Sequence, residues 1–430
     1  MAAREIADVA VIGAGSSGLA VLRALRRQGL AVDGFEKGSD IGGVWRYEND
    51  NGLSGAYASL RTNVSRTRMA YPSFPMPVSD ADFPSHAEMA AYLEAYAEEN
   101  GLRQFIRFFT TIECMAPGPD GTWCVRLSDG SMRRYRAVVV AIGVFWCPRM
   151  PKYPGNFEGE LLHSHDYRTP EPFARRRVLV VGAGQSAAEI AVEVSGVAER
   201  TSMSVRGGAH VIPRWIAGKP YDRFDVAPFN LMSWRLLNFI FALRASRELG
   251  PVPLSWPTPA RRILEGIPIV SSDLVPAVHR GKVIVKPAID RLMANGVRFV
   301  DGSEEPVDSI VYATGYRISL PFLSSTGMST NGRDFPLYRR IVPPNQEGLF
   351  VAGFVDAPGG LLPVVETQGE WIAAVLAGRL RLPDSDQMSR MIKTAERRTR
   401  QRFPGQSSDS IRCDPHAYRR LLRSDLARAS

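Results

Sequence analysis

Two segments of this chain follow the same pattern, and that pattern narrows the fold more than any other feature. Val9 to Ala20 reads VAVIGAGSSGLA, and Val178 to Glu189 reads VLVVGAGQSAAE. Each is an unbroken apolar run, then a glycine-rich turn, then a run of helix formers. A strand buried on both faces of a parallel sheet needs such an apolar run. A strand that turns at once into a helix through G-x-G-x-x-G or G-x-G-x-x-A opens a dinucleotide-binding βαβ unit. The predicted fold class is therefore α/β, with two Rossmann-like dinucleotide-binding domains, the second inserted in the first.

The residues of each turn have separate tasks. In Gly13-Ala14-Gly15-Ser16-Ser17-Gly18 the first glycine permits the tight turn and the second lets the backbone approach a pyrophosphate. The third lets helix and strand pack closely, and the helix amino terminus faces the negative charge. Glu36 ends the next apolar run, AVDGFE, where a carboxylate accepts hydrogen bonds from a ribose diol. The second turn is Gly182-Ala183-Gly184-Gln185-Ser186-Ala187, and the strand after it, TSMSVRGG, carries Arg206 in place of an acid. A guanidinium there binds a ribose 2′-phosphate that a carboxylate would repel. The pair predicts FAD in the first unit and NADPH in the second. A disulfide reductase shares this layout but needs a redox-active cysteine pair early in the first domain. Residues 38–60 hold no cysteine, which excludes that class.

Prolines at 148, 151, 154, 170 and 172 punctuate the chain before the second unit. The expected division is a first FAD-binding part over 1–150 and a linker over 151–175. An NADPH-binding domain over 176–300 follows, with a helical, aromatic-rich insertion at about 213–277. A second FAD-binding part over 301–385 and a polar segment over 386–430 complete it, with the final helix expected over 364–377. The aromatic residues of the insertion (Trp215, Tyr221, Phe224, Phe229, Trp234, Phe239, Phe241, Trp256) either line a substrate route or form the core of that insertion.

Composition removes several other classes. Lysine and arginine number 53 against 44 acidic residues, a formal net charge of +9. That surplus is spread as short arginine clusters, and no long basic run alternates with aromatic residues, so a nucleic-acid partner is not expected. The four cysteines form no CxxC pair and the six histidines no metal-ligand spacing, so the expectation is no metal site. Leu231 to Leu243, the most apolar stretch, falls far short of the roughly 20 residues that span a bilayer. A cytoplasmic protein without a membrane partner is expected, and a homodimer is compatible with this reading.

Between the two turns, Phe157-x-Gly159-x-x-x-His163-x-x-x-Tyr167-Arg168 resembles the FxGxxxHxxx(Y/F)(K/R) signature of the class B flavin monooxygenases. Other segments extend the resemblance over roughly residues 7 to 380. Ile41-Gly42-Gly43-Val44-Trp45 is similar to the family's GGxW segment beside FAD. Leu60-Arg61-Thr62-Asn63 and the YPSFPMP after it resemble its threonine–asparagine loop, and Val311 to Tyr316 (VYATGY) its FATGY motif. Leu349 to Gly378, which includes Gln368, resembles its carboxy-terminal FAD segment. Departures are small: Gln185-Ser186-Ala187 replaces the usual asparagine, serine and glycine, Arg66 replaces a lysine, and the hydrophobic tail of animal members is missing.

The resemblance implies a cycle in which NADPH reduces FAD, oxygen adds at the flavin C4a position, and the hydroperoxide passes one oxygen atom to a small-molecule substrate. It places Val44, Trp45, Thr62, Asn63 and Gln368 beside FAD. Asn63 is the implied catalytic residue, an amide that donates a hydrogen bond to the peroxide or to bound NADP. The expected substrate is a soft nitrogen or sulfur nucleophile such as an amine, indole or sulfide. A Baeyer–Villiger oxidation of a ketone is the alternative, and a flavin-binding redox sensor a further one.

Overall fold

The computed structural model of the protein describes residues 7–79, 81–224, 234–263, 265–326, 335–403 and 411–428. It divides into two compact units. The first is Met1–Ser54, Leu60–Cys147 and Arg317–Ser430; the second is Gly55–Ser59 and Pro148–Tyr316.

The first unit is organised by the strand Val9–Ile12. Its all-parallel sheet runs, in spatial order, Leu349–Val351, Ala137–Val140, Val9–Ile12, Val32–Phe35, Ile106–Arg107. The need for an unbroken apolar run is visible in the packing. Val9 and Val11 enter one core with Leu19, Leu22 and Trp371, while Ala10 and Ile12 enter another with Trp123, Val125 and Phe354. The first core lies under the helices Ser16–Arg27 and Leu362–Leu376. The second is closed by an antiparallel sheet of Ile112–Pro117, Trp123–Leu127 and Met132–Tyr135. Burying each such aliphatic side chain contributes about 1.5–3 kcal/mol, so the central strand is held from both sides.

Two further helices follow where the sequence reading stopped at 377. Ser385–Arg402 and Pro415–Ala427 are capped by Asp384 and Asp414, whose side chains accept from Gln387 and Ala417. Tyr418 and Leu422 of the last helix are buried in the core that holds Leu362 and Trp371. The two described helices of the segment 386–430 are therefore polar on one side only. The other side packs into the first unit.

The second unit repeats the parallel arrangement in the order Val283–Lys286, Arg200–Ser204, Arg177–Val181, Ser309–Tyr312, Glu160–His163. Two expected boundaries move. The stretch 151–175 is more than a linker, because Glu160–His163 forms the edge strand. Residues 301–316, expected with the second FAD-binding part, belong to this unit, because Ser309–Tyr312 is buried between that edge and Arg177–Val181. The insertion carries the helix Trp234–Leu249 and a small core of Ile212, Ala245, Ile263 and Val270, against which Tyr221 and Phe241 pack. Trp256 is also buried, whereas Trp215 and Phe239 are exposed, so the insertion's aromatic residues do not share one role. Phe229 lies outside the described residues, as do the side chains of Phe224 and Trp234.

Candidate cofactor sites

In the first turn, the three glycines meet different surroundings. A Cβ at Gly13, whose φ is +105°, would lie 2.7 Å from the Ala141 carbonyl oxygen, and one at Gly18 would overlap the Gly13 carbonyl. A Cβ at Gly15 would meet only the Gly43 backbone, at 3.5 Å. So Gly13 and Gly18 are needed by the protein itself, while Gly15 opens a surface. Gly42 and Gly43 both take positive φ, and the Gly42 N–H donates to the Ala14 carbonyl (3.2 Å), which lays the GGxW segment against the turn. Val44 is exposed there and Trp45 packs against the core. Ser16 begins the helix, half-buried, and Ser17 is buried.

Glu36 is buried and accepts from the Ala14 N–H (2.8 Å), the Gly38 N–H (2.9 Å) and Asn51 Nδ2 (3.2 Å). The sequence reading gave it a ribose; in the structure the carboxylate also ties the turn to two neighbouring segments.

The loop carrying Asn63 is anchored on both sides. Thr62 is buried, its N–H donates to the Pro84 carbonyl (2.8 Å), and its hydroxyl donates to the Val64 carbonyl (2.8 Å). Arg66 bonds the Ala81 carbonyl and pairs with Glu88 at 2.5 Å. Glu88 sits in the first turn of the helix His86–Glu99, where it forms a capping box with Ser85. The Ser85 N–H and the Arg66 guanidinium hold its carboxyl below the usual range. Asn63 itself is exposed at the tip of this anchored loop.

Gln368 lies beneath the first turn. It is fully buried, and both ends of its amide are used inside the unit, by the Gly353 N–H and the Tyr418 hydroxyl (2.9 Å each). Each end of the amide thus spends one of its two bonds on the unit's own groups.

In the second turn, Gly182 (φ +141°) closes on the Ala313 carbonyl, whereas Gly184 is exposed and a Cβ there would meet nothing within 4 Å. Ala187 is buried and Ser186 half-buried. Gln185 is pinned: its Oε1 accepts from the Val270 N–H (2.9 Å), and its Nε2 donates to the Val270 carbonyl (2.8 Å) and to Glu189 (2.7 Å). Arg206 is exposed two residues beyond the strand Arg200–Ser204, with no hydrogen bond or ion pair among the described residues.

The sequence reading missed a half-buried acid one helical turn behind Gln185. Glu189 accepts from the Tyr57 hydroxyl and pairs with Arg214 at 2.7 Å. Burial outweighs the nearby guanidinium and raises its carboxyl pKa, and burial likewise pushes the Tyr57 phenol up. Its signal was an acid inside the small-residue run QSAAEIAVEV. The other half, Tyr57, comes from a five-residue excursion, Gly55–Ser59, that no local pattern marks.

The signature segment performs structural work within the second unit. Phe157 enters the core beside Leu179 and Ile310, and a Cβ at Gly159 would lie 2.5 Å from the Asp308 carbonyl oxygen. His163 Nε2 donates to the Gly315 carbonyl (3.1 Å), and its Nδ1 accepts from the His165 N–H (3.0 Å). Only the neutral ring with its proton on Nε2 makes both bonds. Burial lowers its pKa accordingly. Tyr167 donates to Glu193 (2.8 Å), and Arg168 donates to the carbonyls of His165 and Tyr167. Among the described residues, no helix is long and apolar enough to cross a membrane, and no group of His, Cys, Asp and Glu could hold a metal ion.

Known proteins share this arrangement along nearly the whole chain. The flavin-binding monooxygenase-like family matches residues 6–424. The rat protein "Dimethylaniline monooxygenase [N-oxide-forming] 4" (Rattus norvegicus) is 33% identical, over 90% of this chain and 73% of its own. The S-allyl-L-cysteine S-oxygenase of Allium sativum superposes with a TM-score of 0.73 at 25% identity, covering 98% of this chain and 89% of its own. The NADP+-bound cyclohexanone monooxygenase of Rhodococcus sp. Phi1 gives a TM-score of 0.73 at 20% identity, over 99% and 98% of the two chains, a likeness of fold alone. The paired glycine turns, the signature segment and these likenesses have one explanation: the chain belongs to the flavin-binding monooxygenase-like family and is a flavin-dependent oxygenase that works with FAD and NADPH.

Proposed function

We propose that FAD lies on the first glycine turn and NADPH on the second, and that the enzyme transfers one oxygen atom to a soft nitrogen or sulfur nucleophile of a small organic molecule. One observation carries the cofactor reading. Over Gly15 only a glycine backbone stands, and over Gly184 nothing does, each beside the amino terminus of a helix. That is room for a pyrophosphate with N–H donors beside it. Bound FAD supplies the oxygenating chemistry, and the chain's own groups orient and protect it.

Glu36, with three of about four acceptor positions used, keeps one for a ribose hydroxyl. Thr62 sets the backbone of the loop, and Asn63 aims its neutral two-proton donor at the reacting oxygen. Val44 and Trp45 border the same cofactor. Gln368 contributes through Gly353. Arg206 reads the 2′-phosphate, and Gly182, Ser186 and Ala187 shape the second turn.

Relatives named for N-oxide formation and for S-oxygenation support the substrate class. The test is incubation of the FAD-loaded protein with NADPH, labelled dioxygen and a panel of an amine, a sulfide and a cyclic ketone, read by mass spectrometry. One labelled oxygen in the amine or sulfide product is expected. A labelled ester from the ketone would move the reading to Baeyer–Villiger chemistry, and no NADPH consumption with any substrate would favour a flavin-binding redox sensor. The proposal extends to a cytoplasmic homodimer, checked by cell fractionation and by light scattering of the purified holoenzyme.

A further inference from the structure

Behind the first glycine turn runs an ordered chain of hydrogen bonds that ends in the last helix. Gly353 follows the strand Leu349–Val351 and takes a positive φ of +79°. It presses so closely on Ser17 that a Cβ there would overlap the Ser17 hydroxyl. The Gly353 N–H donates to Gln368 Oε1, and Gln368 Nε2 donates to the Tyr418 hydroxyl, each at 2.9 Å. That hydroxyl donates to the Arg339 carbonyl (2.5 Å). The Arg339 guanidinium is held by Asp425 through two bonds of 2.8 and 3.0 Å, and Trp371 Nε1 reaches the same carboxylate at 3.2 Å.

The direction of each bond is forced. Gly353 turns its N–H toward Gln368, so the amide oxygen must face it, and the amide nitrogen then donates elsewhere. Tyr418 accepts that bond and donates its own O–H to the Arg339 carbonyl. Gln368 and Tyr418 are buried, so a lost link strands a polar group away from water.

We propose that Tyr418 is a positioning residue for FAD. Through Gln368 it fixes Gly353, and through Gly353 it fixes Ser17 at the helix terminus that receives the pyrophosphate. The helix Pro415–Ala427 thereby acts as a latch on cofactor retention. This rests on the reading that the first glycine turn holds FAD.

The experiment measures how fast the purified holoenzyme releases FAD on dilution, from the rise of free-flavin fluorescence, beside thermal unfolding of the same samples. Tyr418→Phe keeps the ring and removes the link, so release should quicken about five- to tenfold, the worth of one buried hydrogen bond. Gln368→Met, similar in length but without an amide, should do the same and serves if the first variant folds poorly. Asp425→Asn loosens the outer end of the chain without touching the hydroxyl. It should lower the unfolding temperature while changing FAD release less than about twofold. Wild-type release from both Tyr418→Phe and Gln368→Met overturns the proposal, as does release that rises equally in Asp425→Asn. If Gly15→Val purifies with its full complement of FAD, the site reading itself falls, whatever Tyr418 does.

Discussion

The two glycine turns follow the same backbone route but are supported to different degrees. Around the first, Gly43 lies against Gly15, Gly353 against Ser17, and Glu36 draws three donors from three segments. Around the second, Gln185 is pinned to Val270 and Glu189, but Gly184 is exposed, Ala187 stands where the first turn has glycine, and Arg206 makes no hydrogen bond or ion pair among the described residues. A braced turn suits a cofactor that stays bound through many turnovers. An open one suits a cofactor that arrives and leaves in each cycle, which fits a resident FAD and an exchanging NADPH.

The comparison breaks most sharply at the second glycine of each turn. Gly15→Val should yield protein without flavin absorbance, because the side chain takes the space of the pyrophosphate. Gly184→Val projects into open space, so unfolding stability should stay within about 0.5 kcal/mol of the parent while KM for NADPH rises. Equal loss of stability in the two variants would show that both turns are equally braced.

Asn63→Ala tests the chemistry assigned to the first unit. Anaerobic flavin reduction by NADPH should continue, while product formation falls and hydrogen peroxide release rises. A loss of about 2.7–4 kcal/mol is expected if the amide acts like an oxyanion-hole donor. Slow reduction with full coupling to product would mean that Asn63 positions NADPH instead.

Arg206→Ala is expected to cost about 1.5–3 kcal/mol in kcat/KM for NADPH, with little change for NADH. An unchanged preference between the two cofactors would mean that another group reads the phosphate.

The smallest effect concerns His163 and confines itself to the second unit. Its folded pKa is depressed by burial below the ordinary 6.5, so the unfolded chain takes up a proton first as pH falls. The stability that the neutral ring contributes is fully present above about pH 6.5 and is lost as pH falls through the lower folded value. Thermal unfolding across that window should decline in the parent and flatten in His163→Gln. A parallel decline in both would assign the pH dependence to other groups.

Much of this arrangement was legible in the sequence, and the reason is local. VAVIGAGSSGLA and VLVVGAGQSAAE place strand, turn and helix within a dozen residues, so apolar period and glycine spacing suffice. Glu160–His163 and Ser309–Tyr312 were harder, since two four-residue strands pair with each other across about 150 residues, and only three-dimensional pairing shows that both complete the second sheet. The last helix was obscured because the buried Tyr418 and Leu422 are interleaved with Arg419, Arg420 and Arg423, which make the segment read as polar. The bonds that orient Gln368 were not legible, because the direction of a buried amide depends on a donor at Gly353 and an acceptor at Tyr418, across a turn and 50 residues away.

The strand order also bears on synthesis. The second unit's parallel sheet is drawn entirely from residues 160–312, one nearly continuous stretch. The first unit's sheet needs Leu349–Val351 at its edge, paired with Ala137–Val140 some 200 residues earlier. On a ribosome, the inserted unit can therefore finish its sheet while the outer one still lacks a strand and the helix Leu362–Leu376 that covers it. The nascent chain must hold Val9–Ile12 half-covered through that interval, with the face that Leu362–Leu376 covers open to misassembly. Long-range closure of this kind slows folding, and the outer unit, though begun first, is the last to be completed.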